Sequence, residues 1–208
     1  MNNIPQLPPI LDFNPDTDKG MLFDTRDGQS YPVVKIGNQI WTAENFRYLP
    51  SIKDKGDLYD TSYVYDNNND YLDKGYGRLY DFNTANHIAP EGWRLPNDKD
   101  FKELIDFIIK DNNLTVGEVG SYLKSVNGWE LCDGIVNNDK YGFNAKPAGY
   151  SSNKRFYNED ESTYFWNGTM KGNRGYANRL CLHSHKEGFY SYDNGKYCAY
   201  SVRLIKDT

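Results

Sequence analysis

The sequence predicts an α+β fold, in which short helices pack on a twisted antiparallel sheet with long loops. Its helical patterns are grouped between residues 81 and 123, with a β-hairpin pattern before them and β-rich segments after Gly128. Grouped helices favour α+β over a doubly wound sheet, in which helices and strands alternate. Aromatic residues make up 15% of the chain, so we expect burial to rely on Tyr, Phe and Trp more than on aliphatic side chains.

Length and charge limit the class of protein. The 208 residues predict one main domain, and the net charge is −5 with no run of basic residues. We therefore expect no nucleic-acid partner, because counterion release needs clustered Lys and Arg. No apolar run is long enough to span a bilayer, so we expect no membrane insertion, and the chain as given shows no signal peptide.

The first 23 residues differ in composition from the rest. They hold four of the nine prolines and have no regular periodicity. X-Pro steps favour extended chain, so we predict an extended Pro-rich arm over residues 1–23 and the domain over residues 24–208. The arm lies either on the domain itself or on a partner, and in the second case it would support a homo-oligomer or a larger assembly.

Turn residues predict two hairpins. Gly37-Asn38 separates two β-rich segments, and Gly supplies the positive φ that a type II′ turn requires at its first central position. Asn194-Gly195 separates "GFYSYD" from "KYCAYSVRLI" and predicts a second hairpin.

Capping residues predict the helix starts. A short helix is expected over residues 81–88, capped by the Asp at its first position. Asn97 caps the next helix, whose first turn is acidic and therefore favourable to the helix dipole. Thr115 and Glu118 form the pattern of a capping box at a third start.

Two groups of side chains are candidates for metal ligands. Asp66, Asn68 and Asp70 alternate like the start of an EF-hand loop, but the sixth and twelfth positions lack the required Gly and Glu. The loop is either a looser calcium site or a solvated polar loop. His183 and His185 would share one strand face, as transition-metal ligands would, or are two edge histidines. We expect no cofactor.

Catalytic patterns are weak. Cys132, Cys181 and Cys198 lack C-x-x-C spacing, and Cys181 and Cys198 either form a bridge or remain thiols. No nucleophile-elbow motif is present. The carboxylates of residues 159–161 would suit a glycosidase or would simply be solvated. We therefore predict that the chain is not an enzyme.

Residues 151–200 have the composition of a binding surface. They contain seven Tyr, six Asn, five Ser and five Gly, but only two branched aliphatic residues. Tyr supplies rigid contact area and Asn and Ser supply adaptable hydrogen bonds, as in antibody paratopes, although the same residues could cover a sheet and build turns. The candidate ligand-binding residues are Tyr157, Asn158, Asn173, Arg174, Tyr176, Tyr190 and Tyr192.

Seven fragments occur in a recognisable order: "IGNQIWTAENF", "GYGRLYDF", "GWRLPNDKDF", "LKSVNGW", "YGFNAKPAGY", "YFWNGT" and "SVRLIKD". Over residues 24–207 the chain thereby resembles the Fibrobacter succinogenes major paralogous domain family, which is similar to the C-type lectin-like fold. The resemblance implies that fold, an extracellular setting and ligand-carrying loops in the C-terminal half. It implies a structural role for Trp41, Asn45, Arg78, Trp93, Arg94, Pro96, Trp129, Trp166 and Arg203. Ala89 stands where the family often has Cys, which weakens any inference of a family disulfide.

The sequence leaves two hypotheses and a third alternative. The first is a noncatalytic binding or adhesion module on a bacterial surface, fibre or virion, which recognises a protein or glycan through residues 151–200. The second is a structural assembly or decoration subunit docked through residues 1–23. The third is an enzyme similar to the formylglycine-generating group.

Overall fold

A computed structural model describes residues 7–49, 62–171, 176–195 and 198–207, and the side chains at 171, 176 and 192–195 lie outside this description. The chain forms two sheets with few helices between their strands, in agreement with the predicted α+β class. The strands are β1 Ile10–Asn14, β2 Lys19–Asp24, β3 Gln29–Ile36, β4 Gln39–Thr42, β5 Ser62–Tyr63, β6 Leu79–Tyr80, β7 Trp93–Arg94, β8 Ala148–Ser152, β9 Arg155–Glu159, β10 Ser162–Lys171, β11 Tyr176–His183, β12 Tyr190–Gly195, β13 Cys198–Ser201 and β14 Ile205–Lys206. The α-helices are α1 Asp70–Asp73, α2 Phe82–Ala85 and α3 Asp98–Asn112, and 3₁₀ helices cover Tyr65–Asn67 and Val116–Tyr122.

The smaller sheet is antiparallel and has the order β1-β2-β3-β4-β14-β7. The turn at Gly37-Asn38 joins β3 to β4 with Ile36 opposite Gln39, which confirms the first predicted hairpin. Gly37 has a φ of 62°, the left-handed region that this turn needs and that Gly enters without strain.

The larger sheet has the order β12-β11-β10-β8-β13-β6-β5, with β9 paired to β8. Most of its pairs are antiparallel, and β10 adds short parallel contacts to β8 and β13. The second predicted hairpin is wrong, because β12 pairs with β11 whereas β13 pairs with β8 and β6. Ala199, Tyr200 and Ser201 are buried, and a central place in the sheet buries them better than an edge hairpin would.

The described part of the predicted arm lies on the domain itself. Strand β1 pairs with β2, and β2 pairs with β3 from Lys19 opposite Val34 to Asp24 opposite Gln29. Leu22 of β2 is fully buried, and β2 crosses the predicted boundary at residue 24. The arm's extended conformation is therefore that of sheet strands in residues 10–24.

Two large apolar clusters fill the interior. One lies between the two sheets and includes Tyr31, Phe46, Tyr80 and Trp166, and the other packs α3 against the strands through residues such as Phe101. Aromatic rings supply much of both clusters, as the composition predicts. No helix among the described residues is long and apolar enough to cross a membrane.

The predicted helix starts agree with the structure. Asn97 caps α3, and its side chain accepts hydrogen bonds from the N–H groups of Lys99 and Asp100 in a complete capping box. Asp81 caps α2, which ends at Ala85 and is shorter than predicted. The box of Thr115 and Glu118 is present, but it opens a 3₁₀ helix.

The tryptophans among the family-matching residues are buried. Trp41 and Trp166 are fully buried, and Trp93 and Trp129 are nearly so. Trp129 and Trp166 each donate an indole N–H to a backbone carbonyl. A buried polar N–H needs such a partner, and the bonds fix the ring orientations.

Arg94 pairs with the buried carboxylate of Asp100. Its Nη1 and Nη2 lie 2.5 and 2.8 Å from the two oxygens of Asp100, and its Nε lies 3.0 Å from Asp207. The pair lowers the pKa of Asp100 against the opposing effect of its burial. Pro96 accepts the Gly168 N–H at 2.7 Å, and Arg78 donates to Ser62, so both stand at contacts between elements.

Arg203 lies at the centre of a buried junction. Its guanidinium donates to Asn45 Oδ1 at 2.8 Å and to the carbonyl oxygens of Thr42, Phe143 and Asn144 at 2.9, 2.5 and 2.9 Å. Burial lowers the pKa of Arg203 to about 9, which leaves the group charged at neutral pH. One side chain thus ties the C-terminal segment to two distant parts of the chain.

We expect Arg203→Met to lower the free energy of unfolding by about 3–5 kcal/mol, because four buried acceptors lose their donors. Urea unfolding at neutral pH would measure the loss, with Arg155→Met as the control because Arg155 is exposed on β9. The control should change stability by less than about 0.5 kcal/mol. Equal stability of the two variants would contradict the role of the junction.

Candidate functional site

Five tyrosines form a connected aromatic surface on the larger sheet, which we call the tyrosine face: Tyr150, Tyr157, Tyr164, Tyr190 and Tyr200. The strand register explains why they meet. Tyr164 of β10 lies opposite Cys181 of β11, and Cys181 lies opposite Tyr190 of β12. Residues directly opposite in neighbouring strands share one face of a sheet, so these three positions form one row.

Four rings of the tyrosine face contact one another, and the His183 ring lies between Tyr164 and the fifth, Tyr190, at centroid distances of 6.1 and 6.2 Å. Tyr150 is stacked with Tyr157 at a centroid distance of 5.2 Å and meets Tyr164 edge-on at 5.2 Å. Tyr164 and Tyr200 are 5.4 Å apart. These distances fall in the range preferred by aromatic pairs, so the surface is held by ring packing as well as by strands.

Exposure differs across the tyrosine face. Tyr200 is fully buried and Tyr164 is 5% exposed, so these two form its base. Tyr157 is 38% exposed, and Tyr150 and Tyr190 are half-buried. The exposed rings are therefore supported from below by buried ones, which limits their motion.

Arg179 of β11 is the cation of the tyrosine face. Its guanidinium carbon lies 4.9 Å from the centroid of the Tyr164 ring and 5.0 Å from that of Tyr200. Its Nη1 donates to the Tyr200 hydroxyl, whereas its Nε is buried without a hydrogen-bond partner. The side chain is only half-buried, so part of the guanidinium reaches solvent.

His183 stands beside the face with a partner at each ring nitrogen. Its Nδ1 is 2.8 Å from Ser162 Oγ and its Nε2 is 3.2 Å from Cys181 Sγ. Burial, with the neighbouring His185, lowers the pKa of His183 to about 4, and burial raises the pKa of Cys181 to about 11. Both groups are therefore neutral at pH 7, and Cys181 lacks the thiolate that a nucleophile or redox centre requires. All three cysteines are thiols in the structure.

Lys124 supports the turn that carries His183. The lysine is fully buried, and its Nζ donates to the carbonyl oxygens of His183 at 3.1 Å and Lys186 at 2.9 Å. Burial lowers the pKa of Lys124 to about 8. A charged donor shared by two carbonyls fixes the backbone at the end of β11.

Three of the predicted ligand-binding residues come together here. Tyr157 and Tyr190 belong to the tyrosine face, and Asn158 donates to the Tyr164 hydroxyl at 3.1 Å. Tyr176 and Tyr192 lie in β11 and β12 with backbone partners Gly195 and Arg179, and their side chains are outside the description. Asn173 and Arg174 lie outside the described residues.

Sequence reasoning did not select Tyr150, Tyr164, Tyr200 or Arg179. Tyr164 and Trp166 alternate along one strand, and this period of two could have placed Tyr164 on a common face. Arg179 gives no comparable signal, because a single arginine in a strand is usually a solvated charge.

The predicted calcium candidates lie in two short helices and the link between them. Asp66 belongs to a 3₁₀ helix, and Asp70 begins α1. The side-chain oxygen of Asn68 accepts the backbone N–H of Asp70 at 3.0 Å, so it shapes the local turn. Within the described ranges, no group of three His, Cys, Asp or Glu residues could hold a metal ion.

The two histidines do not share a strand, contrary to the prediction. Strand β11 ends at His183, and His185 is exposed in the following turn. Their ring centroids are nevertheless 5.4 Å apart. The turn held by Lys124 brings them together in place of strand alternation.

The acidic turn of residues 159–161 lines a cavity of about 430 Å³ with Gly128, Trp129 and Glu130. Tyr76 donates to Asp160 at 2.8 Å, and Tyr71 is hydrogen-bonded to Glu159. Two of the three carboxylates of this turn, those of Glu159 and Asp160, are therefore hydrogen-bonded to tyrosine hydroxyls.

The geometry defines a class of protein: an α+β domain with two sheets and a rigid aromatic surface on the larger one. The Fibrobacter succinogenes major domain matches residues 34–206. The chain belongs to this family. A search of curated proteins found no match, and a search of solved structures found none.

We expect acidification to lower the stability of the folded chain, because His183 is neutral in the folded state. Its pKa is about 4 in the folded chain and near 6.5 when unfolded, so the unfolded state takes up a proton first as the pH falls below 6.5. Stability is then lost down to pH 4, by about 2 kcal/mol after allowance for partial exposure. Unfolding free energies from pH 7 to 4 would be compared with those of His183→Gln.

The variant should show a shallower loss of stability. Burial raises the pKa of Asp139 to about 6, which favours the folded state on acidification, but this contribution is common to both proteins and cancels in their difference. Parallel pH profiles would show that His183 is charged in the folded state.

Proposed function

We propose that the chain is a noncatalytic binding or adhesion module that recognises a glycan or protein through the tyrosine face. The observation that carries the proposal is the Tyr150–Tyr157 stack, in which a ring that is 38% exposed rests on a half-buried one. Large apolar rings held at a surface are the usual anchors of recognition sites.

The chemistry of the face suits a ligand with both apolar and polar groups. Each tyrosine offers a ring surface and a hydroxyl, and Asn158 and Arg179 add hydrogen-bonding groups beside the rings. Because the groups lie on strands and pack on one another, little conformational entropy is lost when a ligand binds.

The family membership and the α+β architecture support assignment of a C-type lectin-like fold, with short helices on a twisted sheet. We further propose an extracellular setting on a bacterial surface, fibre or virion, in keeping with the resemblance. In this fold the C-terminal half carries the ligand site, which is also where the tyrosine face lies.

An enzyme similar to the formylglycine-generating group is the weaker alternative. Such chemistry needs a reactive cysteine, and burial raises the pKa of Cys181 to about 11. The neutral His183 beside it cannot stabilise a thiolate. These two groups favour binding over oxidative catalysis as the function of this surface.

We expect the double substitution Tyr157→Ala and Tyr190→Ala to weaken ligand binding at least tenfold, since each interfacial tyrosine typically contributes about 1–2 kcal/mol. Binding to an array of bacterial and host glycans and surface proteins would measure it. The control is Tyr122→Ala, a half-buried tyrosine packed on the other apolar cluster. Undiminished binding by the double variant would remove the assignment of this face.

A structural assembly subunit is the second candidate, and one observation favours it. Strand β1 is the edge of the smaller sheet, and Ile10 on this strand and Leu7 before it are 58% and 72% exposed. Exposed apolar residues beside an unpaired sheet edge are typical of strand-mediated association.

In the assembly case, replacing Leu7 and Ile10 with Ser should convert an oligomer to a monomer without unfolding the domain. This variant leaves the buried Leu22 and strand β2 intact, which removal of residues 1–23 would not. Light scattering after size exclusion would report the molar mass. An unchanged mass, whether monomeric or oligomeric, would count against docking through this edge.

A further inference from the structure

We propose that Arg179 forms an anion subsite within the tyrosine face, and that the ligand is an acidic sugar whose carboxylate binds this guanidinium. This inference rests on the proposed binding function and narrows its ligand class. Two features of Arg179 carry it: the side chain has no acidic partner among the described residues, and its hydrogen-bonding capacity toward those residues is only partly used.

The first feature contrasts with three other arginines of the domain. Arg26 pairs with Asp24, Arg47 with Glu44 and Arg94 with Asp100. Among the residues that the structure describes, no carboxylate lies within 4.0 Å of the Arg179 guanidinium. A partly buried cation without a counter-ion is costly, and a bound anion would offset that cost.

The second feature is the free donor capacity. In the described part of the chain, the one hydrogen bond of the guanidinium is that of Nη1 to the Tyr200 hydroxyl. Its Nε is buried without a partner, and no acceptor is recorded for Nη2. An arginine presents five N–H donors in a planar fork that matches a carboxylate, so this side chain retains the capacity for a charge-assisted bond.

The surroundings add positive charge. Lys186 Nζ lies 5.1 Å from the centroid of the Tyr190 ring, and both Lys186 and Arg179 act electrostatically on Cys181 and His183. The nearby carboxylates of Glu159 and Asp160 are engaged by Tyr71 and Tyr76. Two cationic side chains, Arg179 and Lys186, therefore lie beside rings of the tyrosine face.

The aromatic neighbours favour a sugar as the carrier of that anion. Tyr157 and Tyr150 offer a stacked pair at 5.2 Å, against which the apolar face of a pyranose ring can pack. Asn158 lies beside them, where its amide can bond ring hydroxyls. A single fork beside a ring platform fits one carboxylate attached to one ring, whereas an acidic peptide would be matched by several cations along a groove.

The test uses oligosaccharides that contain uronic or sialic acids, together with the carboxyl-reduced or methyl-esterified form of each. The full chain would be compared with Arg179→Met, Arg179→Lys and the exposed control Arg155→Met. We expect the wild type to prefer the acidic form at least tenfold in about 50 mM salt, and added salt to reduce that preference. Arg179→Met should abolish the preference, Arg179→Lys should restore part of it, and the control should retain it.

Each other outcome has a definite meaning. Equal affinity for acidic and neutral forms in the wild type would overturn the anion subsite while leaving the binding function intact. Preference for acidic peptides over the sugars would overturn the ligand class. No binding to any probe would remove the support for both proposals. If Arg179→Met does not fold, the wild-type comparison of acid with methyl ester and its salt dependence still decide the question.

Discussion

The hydrogen bonds of the buried Arg203 guanidinium are the interaction on which the rest of the structure depends. It is fully buried without an ion-pair partner among the described residues, and its charge is balanced by one amide oxygen and three carbonyl oxygens. These acceptors come from the end of β4, the segment after it and the loop before β8. Because a desolvated cation is tolerated only with such complete bonding, the two segments are held in a fixed relation to the C-terminal strands.

Asn45 extends this junction to a third part of the chain. While its oxygen accepts from Arg203, its Nδ2 donates to the Tyr76 carbonyl at 2.9 Å and to Ser201 Oγ at 3.1 Å. Gly77 is the residue after Tyr76 and has a φ of 68°. A Cβ atom at this position would lie 2.7 Å from Asn45 Cβ, which is too close for a side chain. The fragments "IGNQIWTAENF", "GYGRLYDF" and "SVRLIKD" therefore meet at one place. Their physical role is to hold distant segments of the chain together. Ser201 takes part in these contacts and directly follows Tyr200, which lies at the base of the tyrosine face.

Turns and helix caps could be predicted from the sequence more accurately than the order of the strands in the sheets. The Gly37-Asn38 turn and the Asn97 cap depend on residues a few positions apart, so their chemistry is readable without the fold. Asn194-Gly195 carried an equally good turn signal, yet β13 lies between β8 and β6, since burial of Tyr200 competes with the local preference. Composition directed the prediction to residues 151–200, where four of the five tyrosines of the tyrosine face lie. The sequence could not identify Arg179 as a candidate site residue, because the contacts that suggest its role are made by residues on other strands.

The same burial that builds the tyrosine face also determines which chemistry it supports. Cys181, His183 and Ser162 lie in a chain of contacts that outwardly resembles a catalytic arrangement, but burial disfavours the charged forms of both the thiol and the imidazole. Arg179 lies in the next row, where the faces of the Tyr164 and Tyr200 rings lie beside its guanidinium. The surface thus combines a thiol and an imidazole that burial keeps neutral with the guanidinium of Arg179, and this combination is the physical basis of the proposed binding of an anionic ligand.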